Sequence, residues 1–92
     1  MEPASPQLED GFTRIANTLF EALCSANCPS SILRLTMAVI RETYGYNQKT
    51  ARIPTHRLAA ICGCSERRIR QVLDEAVAWG MLVREGREIG PQ

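Results

Sequence analysis

The sequence predicts a mainly α-helical domain that ends in a small β-hairpin. Apolar residues recur with a helical period in several stretches. Residues 55–79 contain two helix-capping residues and, between them, a glycine that separates two helices. A strand-like pattern follows Gly80. The chain has 92 residues, of which 45% are hydrophobic and 23% are charged. That length and composition are typical of one globular domain with one modest core.

The first two helices are predicted from apolar spacing and from capping residues. The first begins near Thr13 and runs to about Ser25, and the second is capped by Ser30 or Ser31 and ends before Gly45. The apolar faces are formed by Ile15, Leu19, Ala22 and Leu23 in the first helix and by Ile32, Leu35, Thr36, Val39 and Ile40 in the second. Residues 1–10 are expected to form a flexible arm, because they contain two prolines and few apolar anchors.

A polar loop is predicted over residues 45–52, and Ile53 is expected to form a short strand that Pro54 ends. Tyr44 and Tyr46 flank the start of this loop, and we expect them to anchor it to the core.

Residues 55–79 carry the most informative pattern, which is typical of a helix-turn-helix. Thr55 can cap a helix through Cys62, Gly63 interrupts it, and Ser65 caps a second helix through Trp79. A small residue allows the two helices to approach, and a glycine allows a left-handed turn. Positions that such a motif buries are occupied by Leu58, Ala59, Cys62, Cys64, Ile69 and Val72. An unrelated helical hairpin would bury much of the same set, so that alternative stays open.

The segment after Gly80 changes to a strand pattern. Residues 81–89 read as two short strands that turn at Glu85-Gly86, and Trp79 is expected to pack under this hairpin. A helix-turn-helix followed by such a hairpin is a winged helix-turn-helix, which we predict for residues 11–90. In that architecture the second helix of the motif enters the major groove of DNA and the hairpin lies beside the backbone.

The net charge of +1 conceals an uneven distribution. Residues 49–73 contain six cations and a single acidic residue, for a local charge of +5. The predicted base-reading residues on the second motif helix are Ser65, Glu66, Arg67, Arg70 and Gln71. The predicted contacts to the DNA backbone are Lys49, Arg52, Arg57, Arg68, Arg84 and Arg87. A solvated charged surface is the simpler explanation of each charge taken alone.

Other functional classes are disfavoured by the sequence. The chain has one histidine, His56, and no phosphate-binding loop or nucleophile motif, so we predict no enzyme and no cofactor. The spacing of Cys24, Cys28, Cys62 and Cys64 is unusual for zinc, and reduced, packed thiols are expected instead. The longest apolar run has five residues and no signal peptide is apparent, so neither a membrane-spanning nor a secreted protein is expected.

Three segments of the chain resemble the N-terminal domain of the bacteriophage replication protein O family. They are Glu9-Asp10-Gly11-Phe12-Thr13-Arg14-Ile15-Ala16-Asn17, Ile40-Arg41-Glu42-Thr43-Tyr44-Gly45-Tyr46-Asn47, and Leu58-Ala59 through Arg70. The Thr-Tyr-Gly-Tyr-Asn stretch is the most specific of these, because helical periodicity does not require it. The resemblance implies a winged helix that binds repeated duplex sites in a phage replication origin, in the cytoplasm of an infected or lysogenic bacterium.

The sequence also departs from the family pattern. Family members have more lysine after the Tyr-Asn pair, and they carry a further C-terminal region that this chain lacks, which predicts an excised domain or a small stand-alone relative. Glu66 at the start of the second motif helix repels phosphate, although it can accept a hydrogen bond from cytosine. Alternative functions therefore remain: a phage protein that binds a host or phage protein, as an anti-CRISPR or an inhibitor of host replication does, or a phage transcriptional regulator. A homodimer through the first helix, where Phe20 is expected to be exposed, is also left open.

Overall fold

The structure is a computed structural model that describes residues 11–92. These residues form α1 (Asn17–Cys24), α2 (Ser30–Thr43), a 3₁₀ turn (Tyr44–Tyr46), α3 (Thr55–Cys62), α4 (Glu66–Ala78), β1 (Leu82–Glu85) and β2 (Glu88–Pro91). The prediction of a mainly helical chain with a small antiparallel hairpin is therefore confirmed. The predicted arm, residues 1–10, lies outside the described residues.

The second helix lies at the centre of the fold. Ile32, Leu35 and Val39 recur on one face of α2, as the spacing predicted, and each is at most 1% exposed. They belong to one apolar cluster with residues from the other elements: Leu58 of α3, Ile69, Val72 and Ala76 of α4, Leu82 of β1 and Ile89 of β2. α2 thus holds both α3 and α4 in place, and burial of its apolar face supplies much of the driving force for folding.

The first helix is shorter and less buried than predicted. α1 begins at Asn17 rather than near Thr13, and none of its residues is buried. Thr13 instead lies beside Gly45, where its Oγ1 atom would be 3.3 Å from a Cβ added to that glycine. Contact with the 3₁₀ turn therefore takes the place of the predicted first helical turn.

Two predicted helix caps are wrong because prolines occupy the capping positions. Pro29 and Pro54 adopt extended backbone angles, and their carbonyl oxygens accept the first amide bonds of α2 and α3. Ser30 and Thr55 are consequently the first helical residues, and neither makes a capping hydrogen bond with its side chain. A proline fits this position because its fixed φ suits the extended entry to a helix.

The hairpin turns one residue later than predicted. Glu85 pairs with Glu88, so Gly86 and Arg87 form the turn, and Gly86 adopts a left-handed φ of +62°. The expected strand at Ile53 is also displaced: Ala51 makes an isolated antiparallel bridge to Ile89, with N–O distances of 3.0 and 2.9 Å. Gly90 permits this approach, because a Cβ there would lie 2.2 Å from the carbonyl oxygen of Lys49.

Two aromatic side chains are more exposed than expected. Trp79 is 54% exposed, whereas packing under the hairpin would bury it, and the apolar residues that the hairpin buries are Leu82 and Ile89. Tyr46 is 55% exposed, whereas Tyr44 is half-buried, so the prediction that both tyrosines anchor the loop fails for Tyr46. None of the described helices has the length and apolar character needed to cross a membrane.

Candidate nucleic-acid interface

The turn between α3 and α4 sets the geometry of the candidate interface. The amides of Gly63 and Cys64 both donate to the carbonyl oxygen of Ala59, at 2.8 and 3.1 Å, and close the end of α3. Gly63 has a φ of +70°, which a residue with a side chain rarely adopts. Ala59 is 8% exposed in the core, as expected of a small residue where two helices approach.

The start of α4 is held by a predicted cap. The Ser65 side chain accepts a hydrogen bond from the amide of Arg68 at 3.1 Å, which replaces one missing helical bond. Glu66 lies in the first turn, where a negative charge favours the helix dipole. The N-terminal half of α4 is therefore held in a fixed position, and so is the backbone that carries its exposed side chains.

Arg34 of α2 stabilises the same turn and was not singled out from the sequence. Its Nη2 atom donates to the carbonyl oxygen of Cys62 at 2.7 Å, at the last residue of α3. This contact satisfies a carbonyl that the helix leaves free and ties α2 to the turn. The sequence offered one signal for this role, a cation directly before the buried Leu35 and therefore at the edge of the apolar face of α2.

All of the predicted base-reading residues are exposed at the N-terminal end of α4, with Ser65 as its cap. Ile69, Val72 and Ala76 face the core and are at most 3% exposed, which fixes the rotation of the helix. Exposed residues at its N-terminal end are Ser65, Glu66, Arg67, Arg68, Arg70 and Gln71. Among the described residues, the arginines at positions 67, 68 and 70 form no ion pair, so their guanidinium groups are available to a ligand.

The predicted backbone contacts divide into paired and unpaired cations. Arg57 binds Glu42, whose side chain is only 4% exposed, and Arg84 binds Asp74 at 3.2 Å. Lys49, Arg52 and Arg87 are exposed and have no ion-pair partner in the described part of the chain. Arg57 and Arg84 are therefore already bound to carboxylates of this chain, Glu42 and Asp74, which are distant from them in the sequence.

Replacing Arg57 with alanine should lower the free energy of unfolding by about 1–2 kcal/mol, because it leaves a buried carboxylate without its partner. The half-exposed guanidinium keeps this cost below that of a fully buried pair. Urea unfolding measures the change. Arg52→Ala is the control, since this exposed neighbour should change stability by no more than about 0.5 kcal/mol. Equal stability of the two variants would contradict a stabilising role for the Arg57–Glu42 pair.

The cysteines are less buried than the sequence suggested. Cys24 and Cys64 are exposed, and Cys28 and Cys62 are half-buried, so Cys64 does not occupy a core position. The turn of the chain after Gly63 directs it outward. Burial raises the pKa of the Cys62 thiol, and the nearby Cys64 thiol adds to the increase, against a smaller opposing effect of Arg34. Among residues 11–92, no three histidine, cysteine or carboxylate side chains are grouped to hold a metal.

Iodoacetamide should therefore modify Cys64 several times faster than Cys62. The thiolate is the reacting form, and a raised pKa leaves less thiolate on Cys62 at any pH below that pKa. A time course at pH 8, followed by peptide mass spectrometry, measures both rates in one sample. Equal modification rates of Cys62 and Cys64 in the folded protein would show that Cys62 is more accessible than its half-buried position indicates. The control is the protein unfolded in urea, in which the two rates should be equal.

Comparisons with known proteins identify the family to which the chain belongs. The family described as "Bacteriophage replication protein O" matches residues 5–92, so the chain belongs to that family, as the resemblance predicted. It is 37% identical over 84 residues to "DNA replication protein gp18" of Salmonella phage P22. It is 30% identical over 84 residues to "Replication protein O" of Escherichia phage lambda.

Both alignments cover 91% of this chain but only 31% of the P22 protein and 25% of the lambda protein. The chain thus spans less than a third of the length of these relatives. No solved structure matches it significantly.

Proposed function

We propose that this chain binds duplex DNA as a winged helix-turn-helix formed by residues 11–90. In this proposal α3 and α4 form the motif, α4 lies in the major groove, and the β1–β2 hairpin lies beside the backbone. The observation that carries the proposal is the exposed polar face of α4, which stands opposite a fully buried one. A helix presented in this way places several side chains along one groove.

The chemistry of that face suits base recognition. Arg67 and Arg70 can bind guanine with two hydrogen bonds each, Gln71 can bind adenine, and Ser65 and Glu66 can accept from the exocyclic amino group of cytosine or adenine. Phosphates would be bound by the unpaired cations Lys49, Arg52, Arg68 and Arg87. Arg57 and Arg84 would contact phosphate only by giving up or sharing their carboxylate partners. No chemical step and no cofactor are needed for this function.

Membership of the replication protein O family supports repeated sites in a phage origin as the ligand, within the cytoplasm of the infected bacterium. A module of this size buries about 600–1,000 Å² against DNA, which favours paired copies on adjacent sites. Phe20 of α1 is 55% exposed and is a candidate contact between copies. Sedimentation of the chain on a two-site duplex measures pairing, and a single copy on that duplex would exclude it. The inhibitor and regulator alternatives gain no support from relatives named as replication proteins.

A mobility-shift titration against random duplex at 50 and 200 mM salt tests the proposal. If four to six phosphates are contacted, affinity should fall about 100- to 1,000-fold between the two conditions, because bound counterions are released. An origin repeat should bind more tightly than random duplex at either salt concentration. Absence of binding at 50 mM salt would exclude duplex recognition and leave protein binding as the leading function.

A further inference from the structure

The most specific segment of the sequence, Thr43 to Asn47, has no role in the duplex interface proposed above. It forms the end of α2 and the 3₁₀ turn, and only part of it is needed for the core. Thr43 is buried and bonds to the Val39 carbonyl at 2.8 Å, but Tyr46 leaves more than half of its surface in solvent. A tyrosine so exposed contributes little to stability, and more than half of its surface is available to a ligand.

The tyrosine belongs to a preformed stack. The guanidinium carbon of Arg41 lies 5.5 Å from the centre of the Tyr46 ring, within the range of a cation–π interaction. Gly45 makes room for this arrangement, because a Cβ there would lie 2.8 Å from the Nη1 atom of Arg41. The glycine thus lets the arginine fold back over the turn and hold the aromatic ring in one orientation.

Further aromatic and cationic groups adjoin the stack. One open hollow is lined by Phe12, Thr13, Arg41 and Tyr46, and a second, which shares Phe12 and Gly45 with it, is also lined by Arg14. Phe12 is 64% exposed. We call the surface formed by Phe12, Arg14, Arg41 and Tyr46 the aromatic patch. It combines two exposed rings with two cations that form no ion pair within residues 11–92.

The charges around the aromatic patch favour an anionic ligand. A third hollow joins Tyr46 to Arg52, Pro54 and Arg57 at the start of α3. Glu42 is the only carboxylate among the described residues that line these three hollows, and it is buried and bound to Arg57. Exposed aromatic faces beside unopposed arginines are the combination that proteins use for unpaired nucleotides, whose bases stack on the rings while the phosphates meet the cations.

We propose that the aromatic patch binds single-stranded DNA. Bases of a duplex are already stacked on one another and present only their edges, so exposed rings gain little from duplex DNA and much from unpaired bases. The patch adjoins the start of α3, which in the proposed function crosses the duplex backbone. A strand bound there would flank the duplex site. Only this placement of the strand beside the duplex rests on the proposed function, whereas binding of the strand to the patch does not.

The test measures binding of a fluorescein-labelled 20-mer of thymidine to the 92-residue chain by anisotropy at 50 mM salt. Tyr46→Ala should weaken binding about 5- to 100-fold, as expected for loss of one stacked base, whereas Tyr46→Phe should change it by less than about twofold. Gly45→Ala should also weaken binding, because its Cβ displaces the mobile end of Arg41. Trp79→Ala is the matched control, since this aromatic side chain is 54% exposed but lies outside the patch and has no part in the proposed duplex interface. Circular dichroism melting verifies that each variant is folded.

Two further probes identify the source of the affinity. A 20-mer of abasic sites, with the same phosphates but no bases, should bind much more weakly than the thymidine 20-mer, and Tyr46→Ala should leave binding to a hairpin duplex unchanged. The proposal is overturned if the parent does not bind the thymidine 20-mer, if Tyr46→Ala and Trp79→Ala behave alike, or if Tyr46→Ala weakens both DNA forms equally. If Tyr46→Ala spares DNA binding but blocks phage replication, the patch contacts a protein instead. Tyr46-dependent binding of the 20-mer without duplex binding would refute the proposed function and uphold this one.

Discussion

Replacing Arg67 with alanine is expected to weaken binding to the cognate duplex by about 1–3 kcal/mol and to relax the preference at one base pair. The side chain lies in the first turn of α4, opposite Ile69 and Val72, and it is exposed with no ion-pair partner among the described residues. Its position and its planar fork suit two hydrogen bonds to a guanine edge. Titrating the parent and the variant against the origin repeat and its single-base changes measures both effects.

Arg87→Ala supplies the matched control for Arg67. This arginine occupies the hairpin turn, where a wing meets phosphate, so its loss should weaken cognate and random duplex alike. The slope of log affinity against log salt should fall by about one. Arg67→Ala, in contrast, should act mainly on the cognate site. If both variants bind as the parent does, α4 does not read the groove and the function proposed for this face is wrong.

Local patterns predicted most of the fold because they report on burial within one element. The spacing of Ile32, Leu35 and Val39 identified α2, and Gly63 with Ser65 identified the turn between α3 and α4. The errors arose where a tertiary contact decided the outcome. α1 begins late because the segment around Thr13 lies against the 3₁₀ turn.

The candidate interface, like the fold, was predicted where residues close in the sequence determine it and was missed where contacts between different elements do. The exposed face of α4 follows from the period of its buried residues, so the sequence was enough to predict which arginines point outward. The internal partner of Arg57 could not be predicted, because Glu42 is 15 residues away and on a different helix. The Tyr46–Arg41 stack was missed for a related reason: i, i+5 neighbours do not share a helical face, and only the 3₁₀ turn after Thr43 brings them together.

Replacing Gly90 with alanine is expected to lower the free energy of unfolding by about 3 kcal/mol, because the added Cβ would lie 2.2 Å from the Lys49 carbonyl oxygen. Backbone cannot yield as a flexible side chain can, so the bridge between Ala51 and Ile89 must separate. That separation breaks the two backbone hydrogen bonds between Ala51 and Ile89 and shifts the hairpin that carries Arg87. Urea unfolding measures the stability, and duplex titration measures the effect on the hairpin.

Gly86→Ala distinguishes crowding from backbone strain as the cause. Gly86 has a left-handed φ of +62°, yet a Cβ there would meet nothing within 4 Å, so its replacement should cost only about 1–2 kcal/mol. Gly90 has no such positive φ, and its backbone alone would accept alanine. If strain governed the hairpin, Gly86→Ala would be the more damaging change. A greater loss at Gly90 would instead show that close contact between β2 and the segment before Ala51 holds the hairpin on the helices, and therefore fixes the position of Arg87.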